Sequence, residues 1–168
     1  PGLTVDRFSD ILVVQVLSFG MDKIKNMIFD ILFEKFASIG EKISGIYERE
    51  DVAIRELEGL RQFKGWYEKE GRTHPDSTNT VITENGIKYH VDFENGQKTG
   101  FFLDQKYNRL AVSKLAKGKH VLDCFTHTGS FAMNAVMGGA ASVLAVDVSS
   151  SAVEMARANA RLNGIEGK

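Results

Sequence analysis

From residue 105 onward, helix-length and strand-length stretches alternate, and this alternation restricts the fold more than any other feature of the chain. Residues 105–115 have helical spacing and are closed by Gly118. Residues 121–125 are a short apolar run. Residues 130–137 read as a helix stopped by Gly138-Gly139, and residues 142–146 as a second apolar run. Residues 151–162 read as a third helix, with Ser151 and Glu154 as a capping box and Gly164 just past the end. Strands separated by helices lie parallel, because a parallel pair needs a crossover connection. The expected class is α/β, the start of a doubly wound, Rossmann-like sheet with two strands in view. Both strands are nearly continuous apolar runs, as strands covered on both faces are.

The first 97 residues have a different texture. Residues 2–18 alternate apolar and polar around Ser9-Asp10 and read as a hairpin. Residues 21–36 place Ile24, Met27, Ile28, Ile31, Leu32 and Phe36 at helical spacing, with Lys23, Lys25, Asp30 and Glu34 on the expected wet side. Residues 44–47 read as a short strand and 51–60 as a short helix. Residues 70–80 have loop composition, and residues 81–93 read as two strands about Asn85-Gly86. Asn95-Gly96 is a further turn. Together these describe a small α+β domain over 1–97, followed by the α/β region over 98–168.

The chemistry concentrates where strand 121–125 runs into helix 130–137. In open parallel sheets, ligands lie across the carboxyl ends of the strands. Asp123 stands at the first of those ends, and Asp147, 24 residues later, at the second. An acid in the second position accepts both ribose hydroxyls of an adenosine. Between them lies Thr128-Gly129, where a glycine lets backbone approach a ligand closely. The turn carries one glycine rather than G-x-G-x-x-G, which disfavours a pyrophosphate-bearing dinucleotide. The plainer reading is that the two acids cap strand ends.

Beyond these spacings the sequence carries a resemblance. The run Gly96-Gln97-Lys98-Thr99-Gly100-Phe101-Phe102-Leu103-Asp104-Gln105, then Asn108-Arg109, residues 121–131, and Val146-Asp147-Val148-Ser149 through Asn163-Gly164 resemble the bacterial large-subunit rRNA cytosine-5 methyltransferase family. Pro1-Gly2-Leu3-Thr4-Val5-Asp6-Arg7-Phe8 and Ile46-Tyr47-Glu48-Arg49 are similar to it as well. The resemblance covers essentially the whole chain. It implies a class I methyltransferase sheet, S-adenosylmethionine as cofactor, ribosomal RNA as partner, cytosine C5 as target and a cytoplasmic location. By the same resemblance Lys98, Thr99, Gly100, Phe101, Phe102, Asp104 and Gln105 form the lip of the cofactor site. Phe125, Thr126 and Gly129, with Thr128 and Asp123 beside them, line methionine and ribose. Asp147 holds the ribose, Val148 flanks the adenine, and Ser149 closes the motif. The family carries an RNA-binding domain before such a segment and its remaining strands and catalytic motifs after it. A chain starting at Pro1 and stopping at Lys168 therefore reads as a piece of a longer protein. It is expected to be inactive alone and prone to self-association, and no catalytic residue is assigned.

Other residues invite sharper roles than they support. Cys124 lies in the first strand, pointing opposite to Asp123 and Phe125, and is expected to be a small apolar residue rather than a nucleophile. With one cysteine no intrachain disulfide is possible, which fits a reducing compartment. Cys124 with His127 falls short of a metal's four ligands. His74, His90 and His120 are scattered, and His127 is either a ligand contact or a solvated loop residue. Phe101 and Phe102 either stack on a base or cofactor or fill a core. Lys98, Lys106, Arg109, Lys114, Lys117 and Lys119 form a basic stretch, read as an RNA-phosphate face or, more commonly, a solvated one. The formal net charge of −1 gives no bulk sign of nucleic-acid binding. No apolar run is long enough to span a bilayer, and no leader pattern is present. Competing readings are the same fold acting on a guanine nitrogen or a non-RNA substrate, a nicotinamide oxidoreductase, and a non-catalytic RNA-binding module.

Overall fold

The computed structural model describes residues 2–167 and divides into two compact units, Pro1–Thr80 with Val91–Phe101, and Val81–His90 with Phe102–Lys168. The first unit is built on a four-stranded sheet in the order β1-β2-β3-β4. Strands β1 (Leu3–Phe8) and β2 (Ile11–Val16) form the expected hairpin, with Ser9 at φ 58° in its turn. Helix α1 (Phe19–Ser38) carries the chain over to β3 (Gly45–Arg49), which therefore lies parallel to β2. After α2 (Ile54–Leu57), strand β4 (Lys64–Trp66) adds antiparallel to β3. Three residues are too few for alternation to register, so β4 has no signal in the sequence.

Alternation decides what each face of this sheet meets. Leu12 is paired with Ile46, and these residues pack with Val14, Val16, Phe29 and Phe33 in the core beneath α1. Val13 is paired with Tyr47 and Tyr47 with Trp66, and on that face Tyr47, Trp66 and Phe93 meet edge to face at 5.1–5.5 Å. Helix α1 meets its expected orientation in part: Ile28, Leu32 and Phe36 pack against the core, partly buried. Phe29 and Phe33 are buried, Ile24, Met27 and Ile31 are exposed, and Lys25 is drawn into a part-buried ion cluster. Helical spacing alone does not choose between two apolar stripes on one helix; the cluster around Lys25 selects the face.

That cluster sits at the carboxyl end of β3. Glu50, fully buried, accepts from Arg55 at 2.9 Å and from Lys25 at 3.3 Å; Lys25 also pairs with Glu48, and Arg55 with Asp22 at 3.0 Å. Burial pushes the Glu50 carboxyl up to about 7, against the pull of Lys25 and Arg55.

Strands β5 (Asn79–Glu84) and β6 (Ile87–Asp92) form the second expected hairpin, with Asn85 and Gly86 both at positive φ, as a two-residue turn requires. In the second unit a 3-10 turn, Leu103–Gln105, leads into α3 (Lys106–Leu115). Then follow β7 (His120–Cys124), α4 (Ser130–Met137), β8 (Ser142–Val146) and α5 (Ser150–Leu162). Strands β7 and β8 pair in parallel, Asp123 opposite Ala145 and Cys124 opposite Val146. This is the α/β arrangement expected from the alternation.

Three local expectations need correction. The N-cap of α5 is Ser149, whose Oγ accepts from Ala152 N at 3.3 Å, and not Ser151. Its C-terminal end is as expected: Gly164 at φ 65° donates to Arg161 O and Ile165 to Ala160 O. Cys124 is exposed, on the same open face of the sheet as Leu122 and Leu144, each about 60% accessible. Arg109 belongs to no basic surface. It is 1% accessible and grips Glu84 through Nε at 2.6 Å and Nη2 at 2.8 Å.

Candidate nucleoside site

At the carboxyl end of β7 the chain turns through Phe125–Gly129, with Phe125 at φ 59°, His127 at φ 51° and Gly129 at φ 79°. Non-glycine residues adopt this backbone at a cost, and two carboxylates hold it there. Asp123 Oδ2 accepts from Thr126 Oγ1 at 2.5 Å and from Ala132 N at 3.0 Å, tying the strand end to the first turn of α4. Asp147 Oδ2 accepts from His127 N at 2.9 Å, and Oδ1 from Ser149 N at 3.0 Å. Thr126 N donates to Val146 O at 2.9 Å, which carries the β7–β8 ladder into the turn. The plainer reading is thus part of the answer, because both acids do cap strand ends. Each carboxylate oxygen has lone pairs to spare.

The electrostatics follow from these bonds. The Ser149 and His127 backbone N–H groups hold the Asp147 carboxyl below the usual carboxylate range. Burial pulls the His127 imidazole below its usual value, and the Asp147 charge opposes that pull only in part. At neutral pH the turn therefore presents an anion at Asp147 and a neutral ring at His127. Next to them stand two apolar side chains that are almost wholly exposed, Phe125 at 82% and Val148 at 96%.

Gly129 has a reason other than ligand approach. A Cβ there would meet Ala156 Cβ at 3.0 Å and Met133 Cε at 3.2 Å, so the glycine seats α4 against α5. Thr126, Thr128 and Gly129 are buried, and the Thr128 carbonyl accepts from Asn159 Nδ2 at 3.0 Å. A cavity of about 350 Å³ opens behind this turn, lined by Ala132, Val143, Ala145 and Val153 among others. Thr126 and Gly129 of the turn also line it, whereas neither carboxylate does, so the turn's buried side faces this cleft and its two acids do not.

The other expected residues fall into two groups. Lys98, Thr99, Gly100 and Phe101 belong to the first unit, where residues 96–101 form a tight strap. Gly96 donates to Asp92 O and Gly100 to Gln97 O, and a Cβ on Gly100 would meet Val91 Cγ1 at 2.9 Å. Lys98 is exposed at φ 53°, and Phe101 is 3% accessible, a core residue. Thr99 Oγ1 donates to Asp6 Oδ2 at 2.5 Å, and Arg49 Nη1 donates to Phe93 O at 2.8 Å and Gly96 O at 3.0 Å. Phe102, Asp104 and Gln105 belong to the second unit. The Phe102 ring stands edge-on to His127 at 5.7 Å, and its carbonyl accepts from Arg109 Nη2 at 2.9 Å. Gln105 donates to Asp104 and accepts from Asn108.

Sequence reasoning missed the residues that brace these segments: Asp6, Arg49, Glu84, Tyr89, Asn134 and Asn159. Asn159 is fully buried and accepts from His90 N at 2.7 Å while donating to Thr128 O. An asparagine in mid-helix is the one mark the sequence offers for it, since the side chain otherwise favours caps and turns.

A family model for S-adenosylmethionine-dependent methyltransferases matches residues 68–167, which takes in the whole turn and both acids. The chain belongs to the S-adenosylmethionine-dependent methyltransferase family. Among curated relatives of this methyltransferase, ribosomal RNA large subunit methyltransferase I of Aeromonas salmonicida is 46% identical over 166 residues, 99% of this chain and 40% of that protein. The same-named protein of Aeromonas hydrophila is also 46% identical, over 167 residues. The chain thus spans about two fifths of the length of these relatives. A solved Streptococcus mutans structure described as a SAM-dependent methyltransferase superposes with a TM-score of 0.77 at 28% identity, covering 98% of this chain and 40% of that one. A methyltransferase solved with SAH superposes at 0.78 and 26% identity, covering 98% and 39%. The cofactor of the family is the one expected from the sequence, and the α/β class is likewise that of its relatives. The turn suits an adenosyl group on its own chemistry: an ionised Asp147 with open lone pairs for a diol, beside exposed apolar side chains for a flat base.

Proposed function

We propose that this methyltransferase chain is the cofactor-binding part of an enzyme that methylates large-subunit ribosomal RNA at cytosine C5, in the cytoplasm. The observation that carries the reading is Asp147, ionised and fixed by two backbone N–H groups between the exposed Phe125 and Val148. In this reading Asp147 accepts the ribose hydroxyls, and Val148 and Phe125 cover the adenine and ribose. Asp123, Thr126, Thr128 and Gly129 shape the turn around the methionine. Ser149 fixes Asp147 from behind. Lys98, Thr99, Gly100, Phe101, Phe102, Asp104 and Gln105 make the lip, in which Thr99 and Phe101 act through backbone because their side chains are buried, and Gly100 because it has none. The bound cofactor supplies a methyl group on a sulfonium centre. The chain's own contribution is to hold that group in place, a matter of proximity and orientation. Residues 1–97 and 98–168 are the functional divisions of this reading. The second is the first half of a catalytic domain, and it contains no residue placed as base or nucleophile.

Isothermal titration of the chain with S-adenosylmethionine, S-adenosylhomocysteine and NADH tests the site. Binding of the first two and not the third is expected, and the reverse order overturns the reading. Methyl transfer from labelled cofactor by the full-length protein onto unmodified ribosomal RNA, with the product nucleoside identified, tests the substrate. Label on a guanine, or on no RNA, overturns that part.

A further inference from the structure

A second concave surface lies on the first unit, well separated in the sequence from the turn at Asp147. It is a hollow of about 410 Å³ between the C-terminal half of α1, the loop before β3 and the loop after β4, lined by Phe33, Lys42, Ser44, Arg72, Thr73 and His74, with Ile43, Gly71 and Pro75 completing the wall. Its charges are unbalanced in a specific way. No carboxylate lines it: Asp30 pairs with Lys69 at 2.6 Å, Glu41 with Arg7 at 2.7 Å, Glu68 with His74 at 2.8 Å and Asp10 with the Ser44 hydroxyl, while Glu34, Glu70 and Asp76 adjoin lining residues in the chain without entering the wall. Among the described residues, no ion pair engages Lys42 or Arg72.

The two remaining polar walls are also built for an anion. The Arg72 guanidinium lies over the Phe33 ring, 4.0 Å from its centroid, and the ring is 7% accessible. One face of the guanidinium is thereby backed by an aromatic ring, which fixes a long side chain without neutralising it. His74 has an acceptor at each ring nitrogen, Pro75 O at 2.9 Å and Glu68 Oε1 at 2.8 Å. A neutral imidazole has one N–H, so only the imidazolium satisfies both. The bond to the Pro75 carbonyl, with Glu68 behind it, holds the ring's pKa above the usual histidine value. The ring is stacked on Trp66 at 4.8 Å and 11°.

From this arrangement we infer that the Lys42–Arg72–His74 hollow is a binding site for the phosphodiester backbone of single-stranded RNA, separate from the cofactor site. Cations interleaved with aromatic rings are the chemistry of single-strand binding: the cations take phosphates, and a planar guanidinium or ring takes the face of a base. At about 410 Å³ the hollow is large enough for one nucleotide. The choice of RNA over another polyanion rests on the methylation of RNA proposed above.

The test uses the whole chain and a fluorescent single-stranded oligoribonucleotide, with anisotropy read across a salt series. Lys42→Ala with Arg72→Ala is expected to weaken binding about tenfold and to lower the slope of log affinity against log salt by about 1.4, two phosphate contacts on a single strand at roughly 0.7 each. Lys42→Ala alone is expected to remove about half of the slope change, and because Lys42 is exposed it guards against a folding defect, which a thermal melt checks. Arg72→Lys keeps the charge and is expected to restore the slope but not the full affinity. Equal affinity and slope in wild type and double variant overturn the inference. So does displacement of RNA by an acidic peptide of the same charge, or failure of the wild type to bind RNA at low salt. Titration of the same variants with S-adenosylmethionine separates the two proposals. Cofactor binding is expected to be unchanged, and its absence from the wild type sinks the cofactor reading while leaving the RNA arm readable.

Discussion

Single residues here carry charge in two opposite settings. Asp147 is half-buried and held low by backbone donors, so its charge is available over the whole physiological range. Asp147→Ala is expected to lower cofactor affinity by about tenfold or more, as loss of charge-assisted hydrogen bonds does. Affinity of the unaltered chain should stay level as pH falls toward the ordinary carboxylate value, because this carboxyl titrates below it. Calorimetric titration at several pH values checks both, and an unaltered affinity in a folded Asp147→Ala chain removes the residue from the site. Glu50 is the reverse case, fully buried and raised to about 7. Below the unfolded value of 4.5 both states hold the proton, so the contribution of the protonated group is complete there. As pH rises toward 7 the unfolded chain releases its proton first and stability is lost, at up to about 1.4 kcal/mol per pH unit for one proton. Thermal melts from pH 4 to 8 should show that slope in the wild type minus Glu50→Gln difference. A flat difference would mean that Lys25 and Arg55 keep Glu50 ionised.

Elements are placed by side chains that reach across them, and this is where sequence and structure part company. Both hairpins, the helix–strand alternation and the limits of α4 and β8 follow from turn residues and apolar spacing, which are local properties. The two acids at the strand ends were legible for the same reason, since position relative to a strand end is local. The bracing was not. Arg109 looks like one cation in a basic run, but α3 turns it inward against Glu84 and the Phe102 carbonyl. Glu84 lies 25 residues away in β5, and no spacing rule links the two. The burial of Phe29 and Phe33 with Ile24, Met27 and Ile31 left exposed was hidden likewise, because its selector is an ion cluster assembled from β3 and the segment around α2. Arg109→Ala should leave the Glu84 carboxylate buried without a partner and cost about 3–5 kcal/mol. Chemical denaturation checks this, and a cost below about 1 kcal/mol would mean that water reaches Glu84 in the variant.

For the molecule as a whole, the open face of β7 and β8 matters most. Leu122, Leu144 and Val146 are 61%, 62% and 40% accessible, and Cys124 lies exposed among them. Apolar surface gathered on one sheet face favours association, so the chain should form dimers or larger species at micromolar concentration, as light scattering would detect. Leu122→Lys with Leu144→Lys should return it to the monomer mass; an unaltered mass would put the contact elsewhere. Another feature of the second unit governs timing during synthesis. Asn163 bonds both backbone groups of Lys88, and Asn159 bonds His90 N, so the edge of β6 is stitched by residues 69 to 75 positions further along. A ribosome making this protein releases the hairpin long before it releases the two asparagines. Until α5 emerges, that edge is bare backbone, and the nascent chain passes through a window in which chaperones, or the hairpin of a neighbouring chain, compete for it.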